Sequence, residues 1–230
     1  MSQHSSAPSQ ARLTAFVRTQ TRLLPVAEFP DIRLHRADDV MTVLARAGKL
    51  LGQADPALPF WAFPWAGGLG VARYLVDHPE TVAGRTVVDL AAGSGLCGIV
   101  AARLGAASVL AIDIDPVAAA ALALNARANG VRIAFSGRDP LDDKLPTCDV
   151  ILAGDVCYEE TMAGRMLAWL GRAAARGTDV LIGDPGRAYL PGRGLRRLAA
   201  YDVRTSRELE PSDVRTVSVL TFDRPVVTGP

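Results

Sequence analysis

The chain has 230 residues, 49% of them hydrophobic and 21% charged, with a formal net charge of +1. That length gives one or two domains and enough chain to bury a sizeable core. The charge balance excludes the basic footprint of a nucleic-acid binder and the acidic tract of a solvating tail.

Cys97, Cys148 and Cys157 have no CxxC spacing, and His4, His35 and His78 are scattered, so neither a disulfide framework nor a metal site is expected. The polar start over 1–11 lacks the apolar stretch of a signal peptide, and no run of 18 apolar residues exists. The expectation is a cytoplasmic protein with neither a membrane nor a nucleic acid as partner.

Residues 1–12 read as a disordered tail and 13–60 as an accessory region ahead of a domain over 61–230. Leu13, Phe16, Val17 and Leu24 give helical spacing over 13–24, ended by Pro25 and Pro30. A short strand follows over 32–35. Asp38 and Asp39 then open a helix reaching about residue 51. Pro56, Pro59, Phe60, Trp61, Phe63, Pro64 and Trp65 crowd one shaped loop.

From Gly67 onward, strands alternate with helices. Helix is predicted over 69–76, 97–104, 116–129 and 161–174. Strand is predicted over 86–90, 108–112, 131–135, 149–153 and 179–183. The pattern 195–201, 203–207 and 215–222 closes the chain. Alternation of this kind predicts a parallel sheet with crossover helices. The last strands lie too close together for a crossover, so they should form an antiparallel hairpin at one edge.

The chemistry concentrates in Asp89-Leu90-Ala91-Ala92-Gly93-Ser94-Gly95-Leu96-Cys97-Gly98, a strand running through a glycine-rich turn into a helix. Read literally, Gly93, Gly95 and Gly98 spell the dinucleotide fingerprint GxGxxG and admit a nicotinamide-dependent oxidoreductase. Asp89 argues otherwise. A carboxylate there repels a pyrophosphate on the same loop but accepts hydrogen bonds from a ligand ammonium. Asp113 ends the next strand at the distance where an acid meets ribose hydroxyls, while Asp115, beside Pro116, suits a helix cap.

These residues resemble a class I S-adenosylmethionine-dependent methyltransferase, with Ala91 where many relatives carry a glycine. Trp65-Ala66-Gly67-Gly68 followed by Ala72-Arg73-Tyr74-Leu75 is similar to the element ahead of the fold in seven-strand protein lysine methyltransferases. Gly154-Asp155-Val156-Cys157-Tyr158-Glu159 resembles their Asp-x-x-Tyr motif. Pro59-Phe60-Trp61-Ala62, Pro64-Trp65 and Gly183-Asp184-Pro185-Gly186-Arg187 are similar to the branch that methylates the electron transfer flavoprotein β-subunit on lysine.

The resemblance implies a Rossmann-like, seven-stranded doubly wound α/β sheet with S-adenosylmethionine as cofactor. It implies a protein substrate, the electron transfer flavoprotein β-subunit, with another protein lysine or a small amine as the alternative. Trp65, Asp89, Gly93, Ser94, Gly95, Asp113, Asp139 and Gly154 would contact the cofactor. Asp155 and Tyr158 would face the amine. Asp155 also stands where it could cap the following helix, and Trp65 where it could serve packing. For Trp61 packing is the expected role. The arginines at 187, 193, 196 and 197 read as a solvated face or a contact for an acidic surface.

Overall fold

The computed structural model describes residues 7–142, 144–205, 210 and 212–223. The first half of the predicted tail, 1–6, lies outside them. Order starts before residue 13: Ser9 caps α1 (Gln10–Gln20), its Oγ accepting from the Arg12 N–H at 3.4 Å.

The helix predicted over 13–24 stops at Gln20. Leu23 and Leu24 instead enter β1 (Arg22–Val26), which pairs antiparallel with β2 (Phe29–Arg36). Pro25, read as a helix breaker, sits inside a strand at the edge of a two-stranded sheet, where its missing N–H is tolerated. α2 (Val40–Leu51) starts as expected, with the Asp39 carboxylate accepting from the Thr42 N–H at 2.6 Å.

Two asparagines fasten the hairpin to the main domain. They project from α5 (Pro116–Ala128) and its end. Asn129 pairs with both the N–H and the carbonyl of Arg33, at 2.9 and 2.7 Å. The wholly buried Asn125 accepts from the His35 N–H at 2.7 Å and donates to the Ser94 carbonyl at 2.9 Å. Leu13, Val17, Val43 and Trp61 pack with Val117, Ala118 and Ala121 in one apolar cluster. The accessory region therefore reaches the glycine-rich turn through Asn125.

The main sheet has seven strands: β3 (Thr86–Leu90), β4 (Ser108–Ile112), β5 (Ala134–Ser136), β6 (Val150–Gly154), β7 (Asp179–Asp184), β8 (Leu195–Arg204) and β9 (Val214–Phe222). Their spatial order is β5-β4-β3-β6-β7-β9-β8, parallel except for β9, which runs antiparallel to β7 and β8. The edge hairpin predicted from spacing is present. The segments 195–201 and 203–207 form one strand ending at Arg204, and residues 206–207 lie outside the described residues.

The inner strands are apolar on both faces because helices cover both. Val87 and Leu152 face Leu75 and Ile99, from α3 (Ala66–Asp77) and α4 (Leu96–Arg103). Val88, Ile151 and Ile182 face Trp169 and Leu170 of α6 (Glu160–Ala175). The order reverses between β3 and its neighbours β4 and β6, which opens a crevice at the carboxyl ends of those strands, where ligands of such sheets bind. Among the described residues no helix is long and apolar enough to cross a membrane.

Candidate active site

The turn after β3 bends through three positive backbone angles: Ala91 at φ 52°, Gly93 at 51° and Gly95 at 78°. A Cβ on Gly95 would lie 2.0 Å from Leu122 Cδ1, so this residue seats the turn and α4 against α5. Ala91 is strained, since an L-residue in the left-handed region costs about 1–2 kcal/mol. Its side chain is exposed, so glycine there loses little packing. Ala91→Gly should raise stability by up to about 1 kcal/mol, the strain less the roughly 0.5–1 kcal/mol entropic cost of glycine. A denaturant midpoint measures this, and a lowered midpoint would assign the Ala91 methyl a packing role.

Asp89 is 3% exposed at the end of β3. The Gly98 N–H donates to its Oδ2 at 2.8 Å, but burial dominates and pushes the carboxyl up to about 7. Asp113 accepts from the Gly93 N–H at 2.7 Å and the Asp115 N–H at 2.9 Å, and burial raises its pKa too. Asp115 caps α5 through the Val117 N–H at 2.7 Å. The two neighbouring acids thus divide: Asp115 holds a helix, and Asp113 ties the second strand end to the turn.

Asp155 follows β6 at φ 58° and is 8% exposed. It does not cap the helix after it. Glu159 does that, accepting from the Thr161 and Met162 N–H groups at 2.9 and 2.7 Å. Asp155 instead caps α3, which lies far away in sequence: Oδ2 accepts from the Gly67 N–H at 2.5 Å and the Gly68 N–H at 3.3 Å. Its Oδ1 accepts from Arg187 Nε at 3.0 Å and Nη2 at 2.6 Å. Burial pushes the carboxyl up to about 6, although Arg187 and the Gly67 N–H pull it back. Arg187 also donates to the buried Glu210.

The aromatic loop closes the other side. The Trp65 indole N–H donates to the Phe60 carbonyl at 3.0 Å, and the Phe60 ring lies 5.4 Å from Trp65 and 5.2 Å from Tyr158. That carbonyl is also 3.2 Å from where a Cβ on Gly93 would stand, so the loop rests directly on the glycine-rich turn. Tyr158 is 44% exposed. Trp61 is buried edge-on to Phe16, a packing residue.

One cavity of about 580 Å³, within the usual range for small-molecule sites, joins these parts. Trp65, Asp89, Gly93, Ser94, Asp113, Asp139, Gly154, Asp155 and Tyr158 all line it, whereas Gly95 stands behind the wall. Asp139 accepts from the Leu141 N–H at 2.9 Å and meets Arg165 at 3.5 Å. Sequence reasoning missed Arg187 as a member of the wall, left Phe60 as an unassigned loop aromatic, and passed over Ile114, an apolar side chain 69% exposed at the cavity beside Asp113. The buried Cys157 thiol is pushed up to about 12, mainly by burial, which leaves it no nucleophilic role.

The family model of the ribosomal protein L11 methyltransferases (PrmA) matches residues 76–155, the segment from the end of α3 to Asp155. The electron transfer flavoprotein β-subunit lysine methyltransferase of Rattus norvegicus is 36% identical over 170 residues, 71% of this chain and 67% of that protein. Its Xenopus laevis counterpart is 37% identical over 200 residues, 84% of this chain and 80% of the relative. The chain belongs to the electron transfer flavoprotein β-subunit lysine methyltransferase family. A Pyrococcus horikoshii structure described as a candidate RNA methyltransferase superimposes with a TM-score of 0.55 at 16% identity, covering 82% of this chain and 98% of that one; this establishes the shared fold.

Proposed function

We infer that this enzyme transfers methyl groups from S-adenosylmethionine to the side-chain amine of a lysine in the electron transfer flavoprotein β-subunit. The observation that carries the reading is that the acid-lined cofactor crevice and the aromatic, Asp155-bearing mouth are one continuous cavity. The match to the ribosomal protein L11 methyltransferase family ends at residue 155, so it speaks to the methyl donor more than to the acceptor.

The residues fit the donor. Asp89 is a buried carboxylate facing the cavity, suited to an amino-acid ammonium. Asp113 retains lone pairs for ribose hydroxyls beyond its two backbone contacts. Ile114 offers an uncovered apolar face suited to a base. A Cβ at Gly93 or Gly95 would close on the aromatic loop or on Leu122. When bound, S-adenosylmethionine supplies a methyl group on a positively charged sulfur.

The protein has to position, desolvate and discharge the lysine. Phe60, Trp65 and Tyr158 present an apolar passage that disfavours the ammonium and favours the neutral amine. The lysine ammonium would lose a proton to water, and the neutral amine would then take the methyl group with its lone pair as the donor sulfur keeps the electrons of the broken S–C bond. Holding nitrogen and methyl in line converts a bimolecular step into an effectively unimolecular one. Asp155 orients this end of the site through α3, and the carboxylates of Asp155 and Glu210 outnumber the single guanidinium between them, which leaves the mouth attractive to a cation.

Calorimetric titration with S-adenosylhomocysteine should show binding, and titration with NAD none; the reverse result overturns the reading. Asp113→Ala should weaken that binding roughly ten- to a hundredfold, the worth of one hydrogen bond to a charged group. Affinity should also depend on pH in a fixed sense. The free Asp89 carboxyl titrates near 7, and a bound ammonium favours its ionised form. Affinity should therefore rise from pH 5 to about 7 with proton release, and Asp89→Asn should abolish that slope.

A further inference from the structure

We propose that Arg187, clamped by Glu210, is the positioning residue that keeps Asp155 ionised and aimed, so that Arg187 and Glu210 together help to control the methyl-transfer step. The inference rests on the methyl-transfer reading above. Arg187 leaves β7 two residues after Pro185 in the Asp184-Pro185-Gly186-Arg187 turn. The turn is itself fixed by Asp184 Oδ1, which accepts from the Gly186 and Arg187 N–H groups, both at 2.7 Å. Two guanidinium nitrogens then grip Asp155 Oδ1, and both terminal nitrogens reach Glu210, whose side chain is 1% exposed. A planar guanidinium fork presents paired donors to two carboxylates at once in a fixed geometry that a lysine ammonium does not reproduce.

The grip decides what Asp155 can do. Its Oδ2 is committed to the first turn of α3, so its orientation and charge depend on what meets Oδ1. The groups around it divide unequally. Against ionisation stand burial first and then Glu210, with the buried thiols of Cys97 and Cys157 adding no charge of their own. For ionisation stand the α3 N–H groups and Arg187. Arg215, from β9, is engaged by the Pro185 carbonyl at 2.7 Å and braces the same turn. Arg187 is thus the cation in contact with Asp155, and Glu210 holds it in place.

A merely structural role for Arg187 predicts a uniform loss of activity, whereas the positioning role predicts a shifted pH profile. With saturating methyl donor, Asp89 stays ionised against the bound ammonium. The logarithm of kcat/KM for the lysine substrate should then rise with slope one where only the amine loses a proton, and with slope two below the Asp155 break. In Arg187→Met the break should move up by about one pH unit or more, the effect of losing an adjacent opposite charge. The rate at neutral pH should fall about a hundredfold, and binding of S-adenosylhomocysteine should stay within a few-fold. Arg187→Lys should recover part of the rate. Glu210→Gln removes the charge that holds Arg187 and should lower the rate even above the break, where Asp155 is ionised.

If wild type does not methylate lysine, the underlying reading fails. If wild type methylates and Arg187→Met folds with its break unmoved, this inference fails. Should Arg187→Met not fold, Glu210→Gln decides: a lowered rate above the break, where Asp155 is ionised, supports the clamp, and an unchanged rate there overturns it.

Discussion

Asp155→Ala is expected to cost about 3–5 kcal/mol of stability as well as nearly all turnover. Removing one member of a buried ion pair leaves the partner charge uncompensated, which is worth that much. Here the loss would strand Arg187 beside Glu210 and free the Gly67 and Gly68 N–H groups at the start of α3. Asp155→Asn separates the two roles. Its amide oxygen can still accept from Gly67, while its amide N–H groups confront the Arg187 donors. Turnover should fall about a hundredfold or more with S-adenosylhomocysteine affinity nearly retained. Denaturant unfolding, calorimetry and single-turnover methylation measure the three quantities. Normal turnover in Asp155→Asn would reduce Asp155 to a helix cap.

Gly183→Ala should be strongly destructive, because the new Cβ has nowhere to go. It would stand 2.0 Å from the Gly67 carbonyl oxygen and 2.7 Å from Val71 Cγ2. Gly67 and Gly154 show the matching restriction from the other side: a Cβ on Gly67 would meet the Gly183 carbonyl at 2.3 Å, and one on Gly154 the Gly68 nitrogen at 2.6 Å. Backbone touches backbone here, and that contact lets Asp155 reach the first turn of α3. The loss should be about 3 kcal/mol or more, accompanied by loss of the Asp155 hydrogen bonds and of methylation. Gly164→Ala is the control. Nothing lies within 4 Å of that position on α6, and alanine there should add about 0.5–1 kcal/mol. Equal midpoints for the two variants would contradict the close-contact account.

Most strands and helices of the main sheet were legible because they are buried on both faces and bounded by Gly, Pro and Asp; the strand predicted over 131–135 forms only at Ala134–Ser136, an edge strand of three residues, of which Ala134 is exposed and Phe135 and Ser136 only partly buried. Thr86–Leu90 and Ser108–Ile112 fall where their β-branched runs place them. The failure at the amino end has a physical cause. Leu23 and Leu24 match a helical period, but Arg22–Val26 gains a full antiparallel partner in Phe29–Arg36, and tertiary pairing outweighs the local period. Of the residues expected on the cofactor side, Asp89, Gly93, Ser94, Asp113 and Gly154 could be placed at this cavity because each ends a strand or sits in the turn after it.

The Asp155 contacts were not legible. Its partners Gly67 and Arg187 lie 88 and 32 residues away, and only the juxtaposition of α3, β6 and β7 brings them together. The signal that could have found Arg187 was its place directly after a strand, in the same position relative to β7 as the motif residues are to β3 and β6. Sorting it with the arginines at 193, 196 and 197 hid that.

The central claim is settled most directly with purified components: this protein, isotopically labelled S-adenosylmethionine and the electron transfer flavoprotein β-subunit, followed by peptide mapping. The account predicts label on lysine of the β-subunit, lost when that lysine is replaced by arginine and greatly slowed with Asp155→Asn. Label on a nucleic acid or a small metabolite, or an unlabelled β-subunit from an enzyme that binds S-adenosylhomocysteine normally, would contradict it.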